Sequence, residues 1–246
     1  MKPIAIVQHE ADVGPGNFEQ HLQARGRNYE VIRIDLGAAL PRSAAPFAGV
    51  CSLGGNMSVN DPLPWIADEI AFLRDADARG IPIIGHCLGG QLLARAFGAE
   101  VTRAPHLEMG WSPVAVDDAA LAREWLGEEG PDTVELFHWH GDTFEIPPGG
   151  RRFLTGTCCA NQAFVLPRPG YDHVGMQFHI EMTPELVRRW AADPMAAREY
   201  ERERARTGGP AVQSPQEMVE EVEQRAARMV RVAAHLYDRW LRGVRR

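Results

Sequence analysis

An alternation of short apolar runs with helical segments governs the first half of the chain. Residues 3–9, 29–35, 47–53 and 82–86 are rich in valine and isoleucine and bounded by Gly, Pro or Asp. Runs of that length and composition suit strands buried on both faces of a parallel sheet. Between them, Pro64, Trp65, Ile66, Ile70 and Leu73 share one helical face in a segment that ends at Gly80. Leu92, Leu93, Ala96 and Phe97 do the same ahead of Gly98, a residue suited to the position just past a helix end. The pattern predicts an α/β fold: a doubly wound, mostly parallel sheet of the flavodoxin-like type, with ligands at the carboxyl ends of its strands.

The middle of the chain reads differently. Residues 110–116, 134–140, 153–159, 163–166 and 174–179 are expected as short strands, and Thr183-Pro184-Glu185 opens a helix through Trp190. Composition then shifts to alternating acid and base over 198–206, broken by Gly208-Gly209-Pro210. Ser214-Pro215-Gln216-Glu217 combines capping-box spacing with proline at the first helical position. Met218, Val222, Ala226, Met229, Ala233, Leu236 and Trp240 follow as an apolar stripe of helical period. Arg239, Arg242, Arg245 and Arg246 look like the end of that amphipathic helix. One domain is expected, with a catalytic part at 1–195 and a helical C-terminal extension at 196–246 packed on it.

Several functional classes fall away. A net charge of −7 argues against a nucleic-acid partner. No apolar run approaches the ~18 residues of a spanning helix, so no membrane partner is expected. The N-terminus reads as a strand, not a signal peptide. Four cysteines in 246 residues are too few for a disulfide framework, which points to a reducing compartment, the cytoplasm. Gly14-Pro15-Gly16 lacks the third glycine of a dinucleotide fingerprint, and there is no Walker A sequence. No cofactor is expected. No metal site is expected either, because Cys158 and Cys159 are adjacent and would point oppositely on a strand.

Three motifs carry chemistry. Gly85-His86-Cys87-Leu88-Gly89-Gly90-Gln91 sits at a strand–helix junction. A cysteine there is either a nucleophile exposed on a tight turn, beside a helix N-terminus that favours thiolate, or a buried structural residue. Gln177-Phe178-His179-Ile180-Glu181 ends a strand-like run. Residues two apart on a strand share a face, so His179 and Glu181 would pair as a base oriented by a carboxylate; the bland alternative is a solvated strand-end histidine. Ser52-Leu53-Gly54-Gly55-Asn56 is either a sharp turn or a loop allowing close backbone approach to a ligand. In the second case the N–H groups of Gly55 and Leu88 become oxyanion donors. Alternation along the strand turns His86 away from Cys87, making it a core histidine.

Together, in this order and spacing, the three motifs resemble the class I (triad-type) glutamine amidotransferase family. Glu108-Met109-Gly110-Trp111 and His138-Trp139-His140-Gly141-Asp142 resemble its stand-alone members related to the glutaminase domain of GMP synthetase. The resemblance implies Cys87 as nucleophile, His179 as base and acid, and Glu181 as its orienting partner. It also implies Gly54, Gln91 and the Trp139–His140 backbone around the glutamine side of the pocket. The family often has proline where this chain has Asn56 and Ile180; Asn56 is expected to alter the conformation of the oxyanion loop. The activity implied is hydrolysis of the glutamine γ-carboxamide through a γ-glutamyl thioester, with ammonia passed to a synthetase on a separate chain. A self-sufficient hydrolase of γ-glutamyl amines or peptides is the alternative. A non-catalytic regulatory subunit is third.

Overall fold

The computed structural model describes residues 2–127 and 132–245. The first half forms β1 (Ile4–Gln8), α1 (Gly16–Ala24), β2 (Tyr29–Arg33), β3 (Gly49–Ser52), α2 (Pro64–Ala78), β4 (Ile83–His86) and α3 (Leu88–Ala96). The second half contributes β5 (Val101–Val116), α4 (Ala119–Leu126), β6 (Thr133–Phe144), β7 (Arg151–Thr155), β8 (Ala163–Arg168) and β9 (Tyr171–Met176). The chain closes with α5 (Pro184–Ala192), α6 (Pro194–Thr207), α7 (Pro215–Val219) and α8 (Val222–Leu241).

The nine strands of the described residues join one sheet in the order β2-β1-β3-β4-β9-β8-β7-β5-β6. From β2 to β9 the pairing is parallel; from β9 to β6 it is antiparallel. The doubly wound α/β arrangement and the helical C-terminal segment are present, and the sheet is mixed. Strand β1 shows why its sequence is apolar from Ile4 to Val7. Ile4 and Ile6 enter the core beneath α1 and α8, while Ala5 and Val7 enter the core beneath α2 and α3. A strand with helices on both faces has no polar side to present.

Several strand limits differ from the sequence expectation. The runs at 110–116 and 134–140 are parts of a long β5–β6 hairpin. The run at 153–159 ends at Thr155, where Gly156 N–H turns back to the Cys159 carbonyl at 3.0 Å. Cys158 and Cys159 therefore lie in a loop, not on a strand. The run at 174–179 ends at Met176, because His179 N–H is drawn to the Phe137 carbonyl of β6 at 2.8 Å.

The capping box at Ser214 and Glu217 forms as its spacing implies. The helix it opens is short. Glu221 adopts φ 51°, which separates α7 from α8 while every residue of the stripe from Met218 to Trp240 stays buried. Helix α8 packs against α1 and α4, and Trp240 reaches Gly49, where an added Cβ would lie 2.8 Å from the indole. Arg246 lies outside the described residues. Among them, no helix is long and apolar enough to cross a membrane.

Removing the Trp240 indole leaves a cavity at the seam between β3 and α8. Trp240→Ala should cost about 3–5 kcal/mol, read as a lowered urea midpoint with unchanged slope.

Candidate functional site

Cys87 stands between the last residue of β4 and the first of α3, with φ 49° and ψ −108°. A non-glycine residue holds such a conformation only when its surroundings dictate it. Here three glycines allow backbones to touch. An added Cβ would lie 2.4 Å from the Gly89 carbonyl at Gly85, 2.0 Å from the Ser52 carbonyl at Gly89, and 2.3 Å from the Met176 carbonyl at Gly90. Cys87 N–H donates to the Met176 carbonyl at 2.9 Å and Gly89 N–H to the Leu53 carbonyl at 3.0 Å, pinning the elbow to β9 and β3.

His179 and Glu181 follow the end of β9 in a turn, so strand alternation is not what pairs them. Asn17 of α1 does much of that work. Its amide donates to the Ile180 carbonyl at 2.7 Å, and its N–H donates to the Glu181 carbonyl at 2.8 Å. The side chains then meet, His179 Nδ1 to Glu181 Oε1, at 2.7 Å. A carboxylate can only accept, so Nδ1 carries a proton and Nε2 is left to face Cys87. Burial disfavours the imidazolium, but Glu181 and Cys87 outweigh it and raise the His179 pKa to about 10. Burial likewise pushes the Glu181 carboxyl up, and the facing His179 and His86 bring it below its ordinary value. His86 is a core histidine, fully buried, with Nε2 3.2 Å from the Tyr237 hydroxyl.

The Gly54–Gly55 loop is braced by a group that the sequence did not reveal. Buried His9 bridges the Gly54 carbonyl (3.2 Å) and the Glu69 carboxylate (2.7 Å), and Ser52 Oγ donates to the same carboxylate at 2.6 Å. Burial opposes charge on His9, yet Glu69 raises its pKa overall. The signal was visible only as an acid on the buried face of α2. Gly54 packs on the imidazole, where an added Cβ would lie 2.6 Å from His179 Cε1. At Gly55 it would lie 3.0 Å from a Leu88 methyl, so the two expected oxyanion residues adjoin. Asn56 donates to Glu10 at 2.8 Å.

A cavity of about 170 Å³ opens at the elbow, lined by Gly55, Cys87, Gln91, Trp139 and His140 among others. Gln91 reaches the Asp142 carbonyl at 3.4 Å and Gln177 at 3.3 Å. The His140 ring meets Glu108, with Nε2 2.9 Å from the carboxylate. Sequence reasoning missed Gln177, whose amide lies 3.8 Å from Cys87 Sγ, and Glu199 of α6, which accepts from the Trp139 indole at 2.7 Å. Met195 and Glu199 of α6 line the cavity, so the boundary drawn at 195/196 falls inside a helix that faces the site. A second cavity, about 510 Å³, lies against His179, Trp139 and Trp190.

The family model for class I glutamine amidotransferases matches residues 14–189. The chain belongs to that family. A solved glutamine amidotransferase from Methylobacillus flagellatus is 42% identical with a TM-score of 0.91, covering 100% of this chain and 96% of that one. The glutamine amidotransferase-like protein YfeJ of Salmonella typhimurium is 29% identical over 75% of this chain and 77% of its own length. The GMP synthase of Neisseria meningitidis is 32% identical over 42% of this chain, a match that spans only 20% of that enzyme.

Because Gly54 touches the imidazole, Gly54→Ala must displace His179. Misplacement of this kind costs on the order of 10²-fold in rate. Glutamine amidotransferase activity should fall by about that factor while the circular dichroism spectrum is unchanged.

Proposed function

We propose that this glutamine amidotransferase hydrolyses the γ-carboxamide of glutamine through a thioester on Cys87. The observation that carries the reading is the 2.7 Å His179–Glu181 contact, which leaves Nε2 for a cysteine held on a strand–helix elbow at a cavity. Cys87 Sγ attacks the γ-carbonyl carbon, and the oxyanion that forms accepts from the N–H groups of Gly55 and Leu88. His179 protonates the leaving nitrogen, which departs as ammonia. The same histidine then takes a proton from water, whose oxygen displaces Cys87 and releases glutamate. General acid–base help of this kind contributes roughly 10²–10⁴-fold. Gln91, Gly54 and the Trp139–His140 backbone would shape the glutamine side.

In this reading residues 1–195 carry the triad, and the 196–246 segment packs on them and closes the cavity through Glu199. The ammonia would pass to a synthetase on another chain, as the likeness to part of GMP synthase suggests. All four cysteines are free thiols, which fits the reducing cytoplasm where such chemistry operates. The second cavity favours one rival. Space of about 510 Å³ beside His179 is more than departing ammonia needs, and it suits the amine half of a γ-glutamyl conjugate.

Cys87→Ala should abolish ammonia release from glutamine; activity that survives it removes the assignment. Rates on glutamine and on a panel of γ-glutamyl amines and peptides, without a partner, separate the two readings. Preference for glutamine supports the first, and strong conjugate cleavage with negligible glutaminase activity supports the second.

The pH profile tests His179. Its pKa is raised, so the imidazolium that protonates the leaving group is present through neutrality and lost as pH rises through about 10. The alkaline limb of kcat/KM should fall there. Glu181→Gln should move that limb toward the ordinary histidine value near ~6.5; a limb that stays in place would exclude the orienting role.

A further inference from the structure

Behind the wall of the smaller cavity three different donors converge. Glu108 on β5, His140 on β6 and Cys159 in the β7–β8 loop are all buried, and one donor atom from each lies within 4.8 Å of the others. We propose that Glu108, His140 and Cys159 form a binding site for a zinc-type divalent cation that controls the adjacent active-site cavity.

The hydrogen bonds around the cluster leave it unbalanced. His140 Nδ1 lies 3.0 Å from the Asp142 carbonyl, which can only accept, so Nδ1 carries a proton. Nε2 then faces the Glu108 carboxylate at 2.9 Å, which places on one side of the cluster a nitrogen and an oxygen that a metal ion takes as ligands. A ring nitrogen held by a backbone carbonyl is the usual support for a metal-ligating histidine.

A second observation lies beside the cluster, at unpartnered polar atoms of two further residues. His138 is fully buried with neither ring nitrogen hydrogen-bonded, and its Nδ1 lies 3.7 Å from the same Glu108 oxygen. Gln162 also donates to that oxygen, at 2.6 Å, while its own carbonyl oxygen has no partner. An unsatisfied buried polar group costs about 1–3 kcal/mol, and a metal at Glu108 would give the His138 nitrogen a role.

The donor set selects the ion. Thiol, imidazole and carboxylate together match zinc, whereas magnesium and calcium take oxygen. Zinc bond lengths of about 2.0–2.3 Å place tetrahedral ligands roughly 3.3–3.7 Å apart. The His140–Glu108 contact of 2.9 Å would open by a few tenths of an ångström, and the Cys159 sulfur, within 4.8 Å of the other two donors, would close in. Cys159 would exchange its 3.1 Å contact with the Thr143 hydroxyl for the metal and release its thiol proton on binding.

Occupancy reaches the active site through one carbonyl. The Asp142 carbonyl that holds His140 also accepts from Gln91, which lines the cavity beside Cys87. Drawing His140 toward a metal shifts that carbonyl and the Gln91 amide, which inhibits glutamine hydrolysis. This last consequence rests on the function proposed above; the binding itself does not.

The test uses the full chain, stripped with chelator and titrated anaerobically with ZnCl₂ or CoCl₂. One equivalent of zinc should survive gel filtration, and the cobalt form should show a near-ultraviolet thiolate charge-transfer band. Cys87→Ala should retain both, which separates this site from zinc on the nucleophile. Cys159→Ser should lose the band, weaken zinc binding at least tenfold, keep metal-free glutamine hydrolysis, and escape zinc inhibition. Glu108→Gln, which preserves shape, should weaken zinc binding in the same way if Cys159→Ser fails to fold. Absence of stoichiometric metal, a band that survives Cys159→Ser, or a band lost in Cys87→Ala overturns the proposal.

Discussion

The left-handed backbone of Cys87 is the constraint to which the neighbouring architecture answers. A cysteine at φ 49° is tolerated because Gly85, Gly89 and Gly90 let β3, β9 and the first turn of α3 approach without side chains between them. The strain is held by hydrogen bonds on both sides of the elbow, from Cys87 to Met176 and from Gly89 to Leu53. Each of those partners lies at the carboxyl end of a parallel strand. The sulfur thus stands at the carboxyl ends of β3, β4 and β9, where an open α/β sheet leaves a crevice.

Around this elbow the protein buries charge in matched pairs. His179 with Glu181 faces the cavity, and His9 with Glu69 stands behind the glycine loop. An unpaired buried charge would cost several kcal/mol, and pairing is what keeps each affordable. The two pairs differ in purpose. The first leaves a ring nitrogen for chemistry, while the second spends both ring nitrogens on scaffolding and fixes the Gly54 carbonyl.

Much of this was legible in the sequence, for identifiable reasons. Strands β1, β3 and β4 carry their own signature, since burial on both faces makes their runs predominantly apolar, whereas the edge strand β2 keeps Glu30 and Arg33. The capping box at Ser214 and the glycines around Cys87 are local codes, read from spacing alone. His179 and Glu181 were found for an incomplete reason: their pairing depends on Asn17, 162 positions away from His179, and on Phe137. His9, Glu69, Gln177 and Glu199 were invisible because each acts through a distant partner, and no periodicity marks such contacts. The same holds for Cys159. Assigned to a strand, it was paired with its neighbour Cys158, whereas the loop carries it toward Glu108 and His140.

The bond from His86 to the Tyr237 hydroxyl has a wider consequence. His86 immediately precedes Cys87, and Tyr237 belongs to α8, the last helix among the described residues. The same helix wedges Trp240 against Gly49, the first residue of the strand that ends in the glycine loop. Residues 151 positions apart in the chain therefore form one floor, so a change in α8 is felt at the Cys87 elbow without entering the cavity.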